Sequence, residues 1–385
     1  MYCRRVVLTN FRNISEADIE FCDGVNVLAG ENAQGKTNLL EAIFYASVGR
    51  SFRASSSNDL ILFGKKNAVV SVDYVSEKRE RGDNITIHLF SDKKKTVEKN
   101  HLRVERLSDI VGSFRSVLFC PEHLSLIKDG PSERRSYLDI AISRISQKYI
   151  RSLQRYSYFL KQRNTLIKSA YNDRGSFDAT VDLWSEKLAE EAAYLSGERY
   201  RFILRISPFV NEFLNKMTGE RESTELIYRG SAGLEGDEYL DYELVKEKYL
   251  RLFSSSHERE ISAGATLWGI HKDDIEIKLN GKNARIFASQ GQQRSLALAL
   301  KLAEGEICRE EFGDYPIFLF DDVFSELDDT RRDSLVLYGT DKQVIISTCE
   351  VEALKKINAQ RQIRVENGKY TVTASDEGEA EKGEE

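Results

Sequence analysis

Eight consecutive residues near the start of the chain have the types and spacing of a phosphate-binding loop. They fit the pattern G-x-x-x-x-G-K-[ST] throughout and lie between an apolar run and a helical pattern. Glycines let the backbone wrap its N–H groups around a phosphate, and the following helix adds a partial positive charge. We therefore expect ATP to bind these residues: Gly30, Glu31, Asn32, Ala33, Gln34, Gly35, Lys36 and Thr37.

Two acids far along the chain complete the predicted chemistry. Lys36 can reach the β- and γ-phosphates, and the Thr37 hydroxyl can hold Mg²⁺. Asp321 and Asp322 follow the apolar run Ile317–Phe320. We expect Asp321 to bind Mg²⁺ with Thr37, and Asp322 to orient or activate the attacking water, so that the candidate catalytic residues are Lys36, Asp321 and Asp322. The structural alternatives are a Gly-bounded loop that opens a helix and a carboxylate pair that caps one.

A third motif, Ser289-Gln290-Gly291-Gln292, precedes a helical pattern. It resembles the signature motif of the ABC ATPases, whose usual core is Ser-Gly-Gly-Gln. A small hydroxyl, a glycine and a helix N-terminus together make a second anion site. The resemblance implies that the signature of one protomer contacts the γ-phosphate held by the other, so we expect an ATP-dependent homodimer. The alternative is a Gln-rich helix cap.

The segments after the two acids also resemble parts of ABC ATPases. Val323–Asp328 resembles the D-loop, which crosses the dimer interface in that class. Gln343–Glu350 occupies the place of the switch region, where ABC transporters have a histidine. This chain has Ser347, Thr348 and Cys349 there, which disfavours a transporter subunit and predicts weak catalysis.

Strand and helix patterns alternate at both ends of the chain. Continuous apolar runs without alternation are typical of strands buried on both faces of a parallel or mixed sheet. The predicted strands are Val6–Leu8, Val25–Leu28, Ala68–Val75, Ile85–Phe90, Ile317–Phe320 and Val344–Ser347, with a polar turn at Arg79–Asn84, a helix at Lys36–Val48 and an amphipathic helix at Gln292–Ile307.

The middle of the chain reads as helical. One apolar stripe runs from Tyr149 to Ile167, and a second runs from Trp184 to Ile206, before Pro208. The polar segment Tyr171–Thr180 lies between them. These patterns predict a helical hairpin in a short lobe rather than an extended coiled coil.

Length and composition indicate two lobes. The 385 residues are more than one core usually holds, and 41% apolar with 31% charged residues is typical of a folded chain. We expect an α/β fold: an ABC/SMC-like P-loop ATPase head split between residues 1–115 and 265–373, a mainly helical insertion lobe at 116–264, and a disordered acidic tail at 374–385.

No apolar run of about 18 residues and no signal-peptide pattern are present, so we expect no membrane contact. The five scattered cysteines favour a reducing cytosol, and hence a cytoplasmic protein.

The net charge of −6 does not by itself suggest a nucleic-acid partner. From Arg115 to Ala170, however, 11 basic residues face 4 acids. A phosphate-tracking stripe with interleaved tyrosines is one interpretation, and a solvated helix face over an aromatic core is the other. The stripe comprises Arg134, Arg135, Arg144, Lys148, Arg151, Arg155, Lys161 and Arg163, with Tyr149, Tyr156 and Tyr158.

Motifs outside the nucleotide site extend the resemblance over residues 1 to 373. In order and spacing, the chain resembles the RecF family of bacterial recombination mediators, ABC-type relatives of the SMC ATPases. The insertion is far too short for the coils of full SMC proteins. The motifs are Asn10–Asn13, Gly49–Arg53, Pro121–Lys128, Arg134–Asp139, Leu160–Asn164, Gly269–Asp274, the signature, and Phe320–Asp328.

The resemblance implies a slow, DNA-stimulated ATPase that dimerises on ATP. It implies action at gaps or single-strand/double-strand DNA junctions, where RecO and RecR are the partners in loading RecA for recombinational repair, replication recovery and SOS induction. The resemblance leaves open which residue near Pro121 and Glu122 fills the Q-loop role. It also leaves open the roles of Arg12 and Arg53. The alternative function is an ATP-dependent protein-interaction switch without intrinsic DNA binding.

Overall fold

The computed structural model describes residues 1–54, 56–76, 79–323, 332, 338, 341–349 and 359–373. The predicted tail at 374–385, residues 324–328 of the D-loop-like segment, and Glu350 lie outside these ranges. The strands are β1 (Tyr2–Phe11), β2 (Ile14–Glu20), β3 (Val25–Ala29), β4 (Asn67–Ser76), β5 (Arg79–Phe90), β6 (Thr96–Lys99), β7 (Leu102–Val104), β8 (Ser116–Phe119), β9 (Thr224–Arg229), β10 (Asp274–Leu279), β11 (Lys282–Asn283), β12 (Ile317–Asp321), β13 (Val344–Thr348), β14 (Arg361–Glu366) and β15 (Lys369–Thr373).

Helices fill the middle of the chain and flank the strands at its ends. They are α1 (Lys36–Val48), α2 (Ser125–Lys128), α3 (Pro131–Ile145), α4 (Gln147–Ser169), α5 (Arg174–Thr218), α6 (Tyr242–Ser255), α7 (His257–Ala263), α8 (Ala284–Phe287) and α9 (Gln290–Phe312). Within the described ranges, no helix is both long and apolar enough to cross a membrane.

The chain divides into two compact units, Met1–His123 with Lys301–Glu385, and Leu124–Leu300. These boundaries differ from the predicted ones at 115/116 and 264/265. Strand β8 pairs in parallel with β12, so Ser116–Phe119 belongs to a sheet of the first unit and not to the insertion. In the second unit, β9 pairs with β10, so this unit contains a sheet as well as helices.

The first unit contains a largely parallel sheet in the order β15-β14-β3-β13-β12-β8. Strands β8, β12 and β13 are buried at every residue, which explains their continuous apolar runs. The predicted strands at 25–28, 317–320 and 344–347 and the helix Lys36–Val48 are confirmed.

The same unit contains an antiparallel sheet in the order β2-β1-β4-β5-β6-β7. The predicted pairing of β4 with β5 is confirmed, but the predicted turn at Arg79–Asn84 is wrong. These residues are part of β5, and Asn84 pairs with Asp73. The polar residues suggested a turn, but an antiparallel sheet can expose one face to water, and its strands therefore accept polar residues.

Helices α4 and α5 form the predicted hairpin in the second unit. Ser152 and Arg155 on α4 contact Glu191 on α5, and Arg163 contacts Ser185, so the two helices run antiparallel. The predicted polar linker Tyr171–Thr180 is wrong beyond Asp173, whose side chain accepts from Ser176 N and starts α5.

Helix α5 also continues through Pro208, where the sequence predicted its end. Its 45 residues span about 67 Å at 1.5 Å per residue. A proline inside a helix costs about 3 kcal/mol. The residues beyond it, Val210, Phe213, Leu214 and Met217, are buried, and their packing offsets that cost.

Helix α9 extends further than predicted and is not amphipathic. Every residue from Ser295 to Cys308 is buried, including Lys301 and Glu304, whose side chains form an ion pair at 2.8 Å. The polar residues that suggested a solvated face therefore pair inside the core. A helix that is buried all round lacks the stripe on which the prediction depended.

Candidate nucleotide-binding site

The candidate site lies where three parallel strands of the first unit end. The loop Gly30–Gly35 follows β3, Asp321 is the last residue of β12, and Thr348 is the last of β13. Asp321 pairs with Ser347, and Thr348 pairs with Ala29. Parallel register thus brings segments almost 300 residues apart to one edge, as is typical of ligand sites in open α/β sheets.

The two glycines that bound the loop have different roles. A Cβ on Gly30 would lie 2.3 Å from the carbonyl oxygen of Val365 in β14, so only glycine fits this packing. Gly35 has φ of 116°, a conformation that L side chains rarely adopt, and Ala33 has φ of 63°. The sequence pattern predicted backbone wrapping at both glycines, whereas Gly30 serves close approach to β14.

The hairpin between β14 and β15 holds the loop from outside. Gly368 N donates to Gln34 O at 2.9 Å, and the Tyr370 hydroxyl donates to Gly35 O at 3.0 Å. Asn367 N donates to Gln34 Oε1 at 2.5 Å. In a trans peptide the N–H points opposite to the carbonyl, so the amides of Gly35 and Lys36 point away from the hairpin. The sequence motifs did not indicate these residues, although Asn367-Gly368 is a strong hairpin signal.

The ammonium of Lys36 lies inside the loop. It donates to the carbonyl oxygens of Gly30 and Glu31 at 2.6 and 2.7 Å, and the side chain is nearly buried. Burial lowers the pKa of this amine, while Cys349, Asp322 and Asp321 oppose the shift. A buried ammonium whose hydrogen-bond partners, among the residues that the structure describes, are two carbonyl oxygens fits a site for the anionic phosphates of ATP.

Three hydroxyl and carboxyl groups converge at the strand ends. Thr37 Oγ1 donates to Asp321 Oδ1 at 2.9 Å, and Ser347 Oγ donates to the same oxygen at 2.6 Å. Burial raises the pKa of Asp321, and the two hydrogen bonds from Ser347 and Thr37 counteract this. The predicted proximity of Thr37 and Asp321 is thus present.

This arrangement fits Mg²⁺ held jointly with a nucleotide. Mg²⁺ prefers oxygen ligands and is usually bound by one or two side chains together with substrate phosphates. Thr37 and Asp321 supply such oxygens. Across the described ranges, no group of three or more His, Cys, Asp or Glu side chains could hold a metal alone. A Mg²⁺ ion that is also bound by phosphates does not need such a group.

Asp322 has an unusual backbone conformation next to this site. Its φ is 50°, in the left-handed region, and its backbone N–H donates to Ser347 Oγ at 3.0 Å. Cys349 Sγ lies 3.9 Å from Asp322 Oδ1. Left-handed conformations of non-glycine residues cluster at functional sites because the surrounding structure must hold them.

Arg12, whose role the sequence left open, braces the helix that begins at the loop. Its guanidinium donates to both carboxylate oxygens of Glu41, at 2.8 and 2.7 Å, and to Asp59 O at 2.9 Å. Glu41 is fully buried in α1 and also accepts from the Ser51 hydroxyl. Arg53 is exposed and slightly counteracts the rise in the pKa of Asp321.

The signature-like residues belong to the second unit. Ser289 and Gln292 form a reciprocal cap at the start of α9: Gln292 N donates to Ser289 Oγ at 3.3 Å, and Ser289 N donates to Gln292 Oε1 at 2.8 Å. The helix-cap alternative is therefore present as local structure. Ser289 and Gln290 are exposed, and Gly291 is half-buried.

The predicted basic stripe is in part a buried structural network, although Lys148, Arg151, Arg155 and Lys161 are exposed. Arg134, Arg144 and Arg163 are buried, as are Tyr149 and Tyr156. The stripe prediction is wrong for these residues because a buried guanidinium cannot track phosphates. Their partners lie in the same unit: Arg134 Nε donates to Asp274 at 2.6 Å, Arg163 to Glu260 at 2.7 Å, and the Tyr149 hydroxyl to Asp139 at 2.6 Å.

Comparisons with known proteins agree on one family. The family model for the RecF/RecN/SMC N terminal domain matches residues 2–372. The DNA replication and repair protein RecF of Alkaliphilus oremlandii is 37% identical over 361 residues, 94% of this chain and 96% of that protein. The protein of the same name from Ruminiclostridium cellulolyticum is 39% identical over 336 residues, 87% of this chain and 89% of that protein.

Solved structures show the same relationship. The recombination mediator protein RecF-ATPrS in the RecFOR pathway matches with a TM-score of 0.90 and 34% identity, covering 97% of this chain and 98% of that one. An Smc head bound to the C-winged helix domain of ScpA matches with a TM-score of 0.57 at 20% identity over 97% of each chain, which is a likeness of fold. The predicted ABC/SMC-like ATPase fold is confirmed.

Proposed function

The chain belongs to the RecF family of ABC/SMC-like ATPases, and from this membership we propose that it is a DNA-binding ATPase that dimerises on ATP. It would act at gaps or single-strand/double-strand junctions, with RecO and RecR as partners in loading RecA. We propose the first compact unit as the ATPase head and the second as its insertion lobe. The hydrogen bond from Thr37 to Asp321 carries the ATPase part of the proposal, because it joins the loop to the acid expected for a magnesium nucleotide; family membership supports the rest.

The site suggests how the chain would use ATP and water. The amine of Lys36 would exchange the carbonyls of Gly30 and Glu31 for β- and γ-phosphate oxygens. Thr37 and Asp321 would hold Mg²⁺, which neutralises charge that develops on the phosphates. Asp322, beside Lys36, would orient the attacking water. The reaction gives ADP and phosphate.

The composite part of the site would come from a second copy. Ser289, Gln290, Gly291 and Gln292 of one protomer would contact the γ-phosphate bound by the loop of its partner. Exposed Ser289 at the N-terminus of a 23-residue helix supports this, since such an end attracts anions. Hydrolysis would remove the shared phosphate and release the dimer.

Two substitutions test the ATP-dependent dimer. Lys36→Ala is expected to abolish nucleotide binding, because it removes the buried ammonium. Asp322→Asn is expected to leave binding intact and to prolong the dimer. Lys216→Ala, at an exposed lysine of α5, is the matched control. If ultracentrifugation with ATP and Mg²⁺ showed Asp322→Asn strictly monomeric at micromolar concentration, the proposed cycle would be wrong.

An ATP-dependent protein-interaction switch is the second candidate function. The burial of Arg134, Arg144 and Arg163 favours it, because it removes charges that had predicted DNA contact. ATP turnover measured with and without gapped DNA, at two salt concentrations, distinguishes the two functions. Stimulation that weakens with salt supports the DNA-binding ATPase, since counterion release drives phosphate contacts. Absence of both stimulation and binding at low salt supports the switch.

A further inference from the structure

A cluster of lysines lies at one end of the antiparallel sheet of the first unit, distant in sequence from the predicted stripe. Two loops meet there, one before β4 and one after β5. Asn67 pairs with Phe90, and Ser91 N donates to Lys66 O at 3.0 Å, so the loops are adjacent. We call the amines of Lys65, Lys66, Lys93 and Lys94 the basic cleft; its second loop lines a cavity of about 430 Å³.

The charge of this cleft is not balanced locally. Residues 61–66 and 91–106 contain eight lysines and arginines against three acids. None of the four cleft amines forms an ion pair with a carboxylate in the described part of the chain. Lys95 differs, since its amine donates to Tyr45 OH at 3.0 Å and Gly49 O at 2.8 Å. The amine of Lys93 lies 3.9 Å from the centroid of the Phe90 ring, a contact that does not neutralise its charge. All four lysines thus remain for an external anion, and Glu105 is the one acid among the residues that line the cavity.

An aromatic ring is exposed beside these amines. Phe63 is fully exposed, and the adjacent Gly64 has φ of 81° in the tight loop that presents it. A phenylalanine without any burial contributes nothing to the core. Exposed aromatic rings next to lysines are typical of single-stranded nucleic-acid sites, where the amines contact phosphates and bases stack on the ring. An acidic peptide would use the charge but would gain little from a protruding ring.

We propose that Phe63 and the basic cleft bind single-stranded nucleic acid. The four amines contact successive phosphates, and Phe63 stacks on an unpaired base. This assignment rests on the proposed function for the class of ligand, and it adds the location of the binding site. The site would lie on the first unit, which also contains the nucleotide loop. A base can stack on Phe63 only where the strand is unpaired, so the site distinguishes single strands from duplex.

Fluorescence anisotropy of the full chain with a labelled 20-nucleotide oligothymidylate tests the assignment. We compare wild type with a variant carrying Lys65→Ala, Lys66→Ala, Lys93→Ala and Lys94→Ala. The matched control removes four exposed charges of α4 through Lys148→Ala, Arg151→Ala, Lys161→Ala and Lys168→Ala. The cleft variant is expected to lose at least tenfold in affinity at low salt and to reduce the log–log salt slope by about 3. The control is expected to stay within about twofold.

Phe63→Ala isolates the stacking. It is expected to weaken oligothymidylate binding about tenfold, while leaving the affinity for a 20-base-pair duplex and the basal ATP turnover unchanged. An equal loss for duplex and single strand would overturn the stacking assignment. Competition by oligoglutamate as strong as by oligothymidylate would overturn the nucleic-acid assignment in favour of an acidic protein partner.

The outcomes separate this inference from the proposed function. If wild type binds DNA and the cleft variant binds equally well, the cleft is not the site and DNA binding stands. If the α4 control loses affinity and the cleft variant does not, the contact lies on the helical unit. If wild type binds no DNA at 50 mM salt, both the proposed function and this inference fail.

Discussion

The hydroxyl of Ser347 donates a 2.6 Å hydrogen bond to Oδ1 of Asp321. The same hydroxyl oxygen accepts from the backbone N–H of Asp322 at 3.0 Å. One buried serine therefore orients the proposed metal ligand and holds the backbone of the residue proposed to position water. Ser347 stands in the segment where ABC transporters have a histidine that senses the γ-phosphate, and it contacts the acids directly.

Ser347→Ala is expected to slow ATP turnover about tenfold, because a hydrogen bond to a charged group contributes about 1.5 to 3 kcal/mol. Nucleotide affinity should change little, since Lys36 and the loop remain. Phosphate release gives kcat, and titration with a fluorescent ATP analogue gives Kd. Ser71→Ala, which removes a 2.9 Å contact to Thr86 in the antiparallel sheet, controls for general effects. A kcat within twofold of wild type would show that Ser347 does not position the acids.

Gly30→Ala is expected to weaken ATP binding more than tenfold. The new Cβ would lie 2.3 Å from the Val365 carbonyl oxygen, so the loop or β14 must move, and the loop amides would lose their alignment. Gly130→Ala is the control, because nothing lies within 4 Å of a Cβ there. Calorimetric titration with ATP and Mg²⁺ measures both. Equal affinity in the two variants would contradict the packing role assigned to Gly30.

Arg163→Met is expected to lower the free energy of unfolding by about 3 to 5 kcal/mol. Arg163 and Glu260 are fully buried, and the substitution leaves the Glu260 carboxylate without its cation. Arg151→Met, at an exposed position of α4, should cost less than about 0.5 kcal/mol. Urea unfolding followed by circular dichroism compares them. Near-equal stability of the two variants would contradict the structural role assigned to the Arg163–Glu260 ion pair.

Stability is expected to fall as the pH drops from about 6.5 toward 4. Burial lowers the pKa of His271 to about 4, whereas an unfolded histidine has a pKa near 6.5. The unfolded chain therefore binds this proton more readily, and His271 alone costs about 2 kcal/mol between pH 7 and pH 5. Burial also lowers the pKa of His123, which adds to the effect.

His271→Gln checks this assignment. Without the imidazole, unfolding free energies measured between pH 7 and pH 5 should decline less steeply than in wild type, and the remaining decline should reflect His123 and the acids. The hydrogen bonds of His271 to Tyr156 OH at 2.6 Å and Thr266 O at 3.2 Å make some loss of stability at pH 7 expected. An unchanged pH slope would mean that His271 does not titrate in this range.

Sequence alone determined the features that local pattern encodes. Helix α1 begins and ends where its pattern predicted. The sequence also identified the phosphate-binding loop before it, because the positive φ of Gly35 favours glycine at that position. The continuous apolar runs of β12 and β13 predicted buried parallel strands. The order and spacing of short motifs sufficed to predict the family, because each motif is a continuous run of residues that can be recognised without the fold.

Only the tertiary structure decided which polar residues are available to a ligand. Arg134 and Arg163 look like a DNA-binding face in the sequence. In the structure both are buried and form ion pairs with carboxylates more than 90 residues away. Pro208 looks like a helix end until packing beyond it is known. The hairpin that holds Gln34, the double contact of Ser347 and the exposed ring of Phe63 depend on which strands and loops become neighbours. Burial and pairing arise from contacts between distant segments, and no local pattern encodes them.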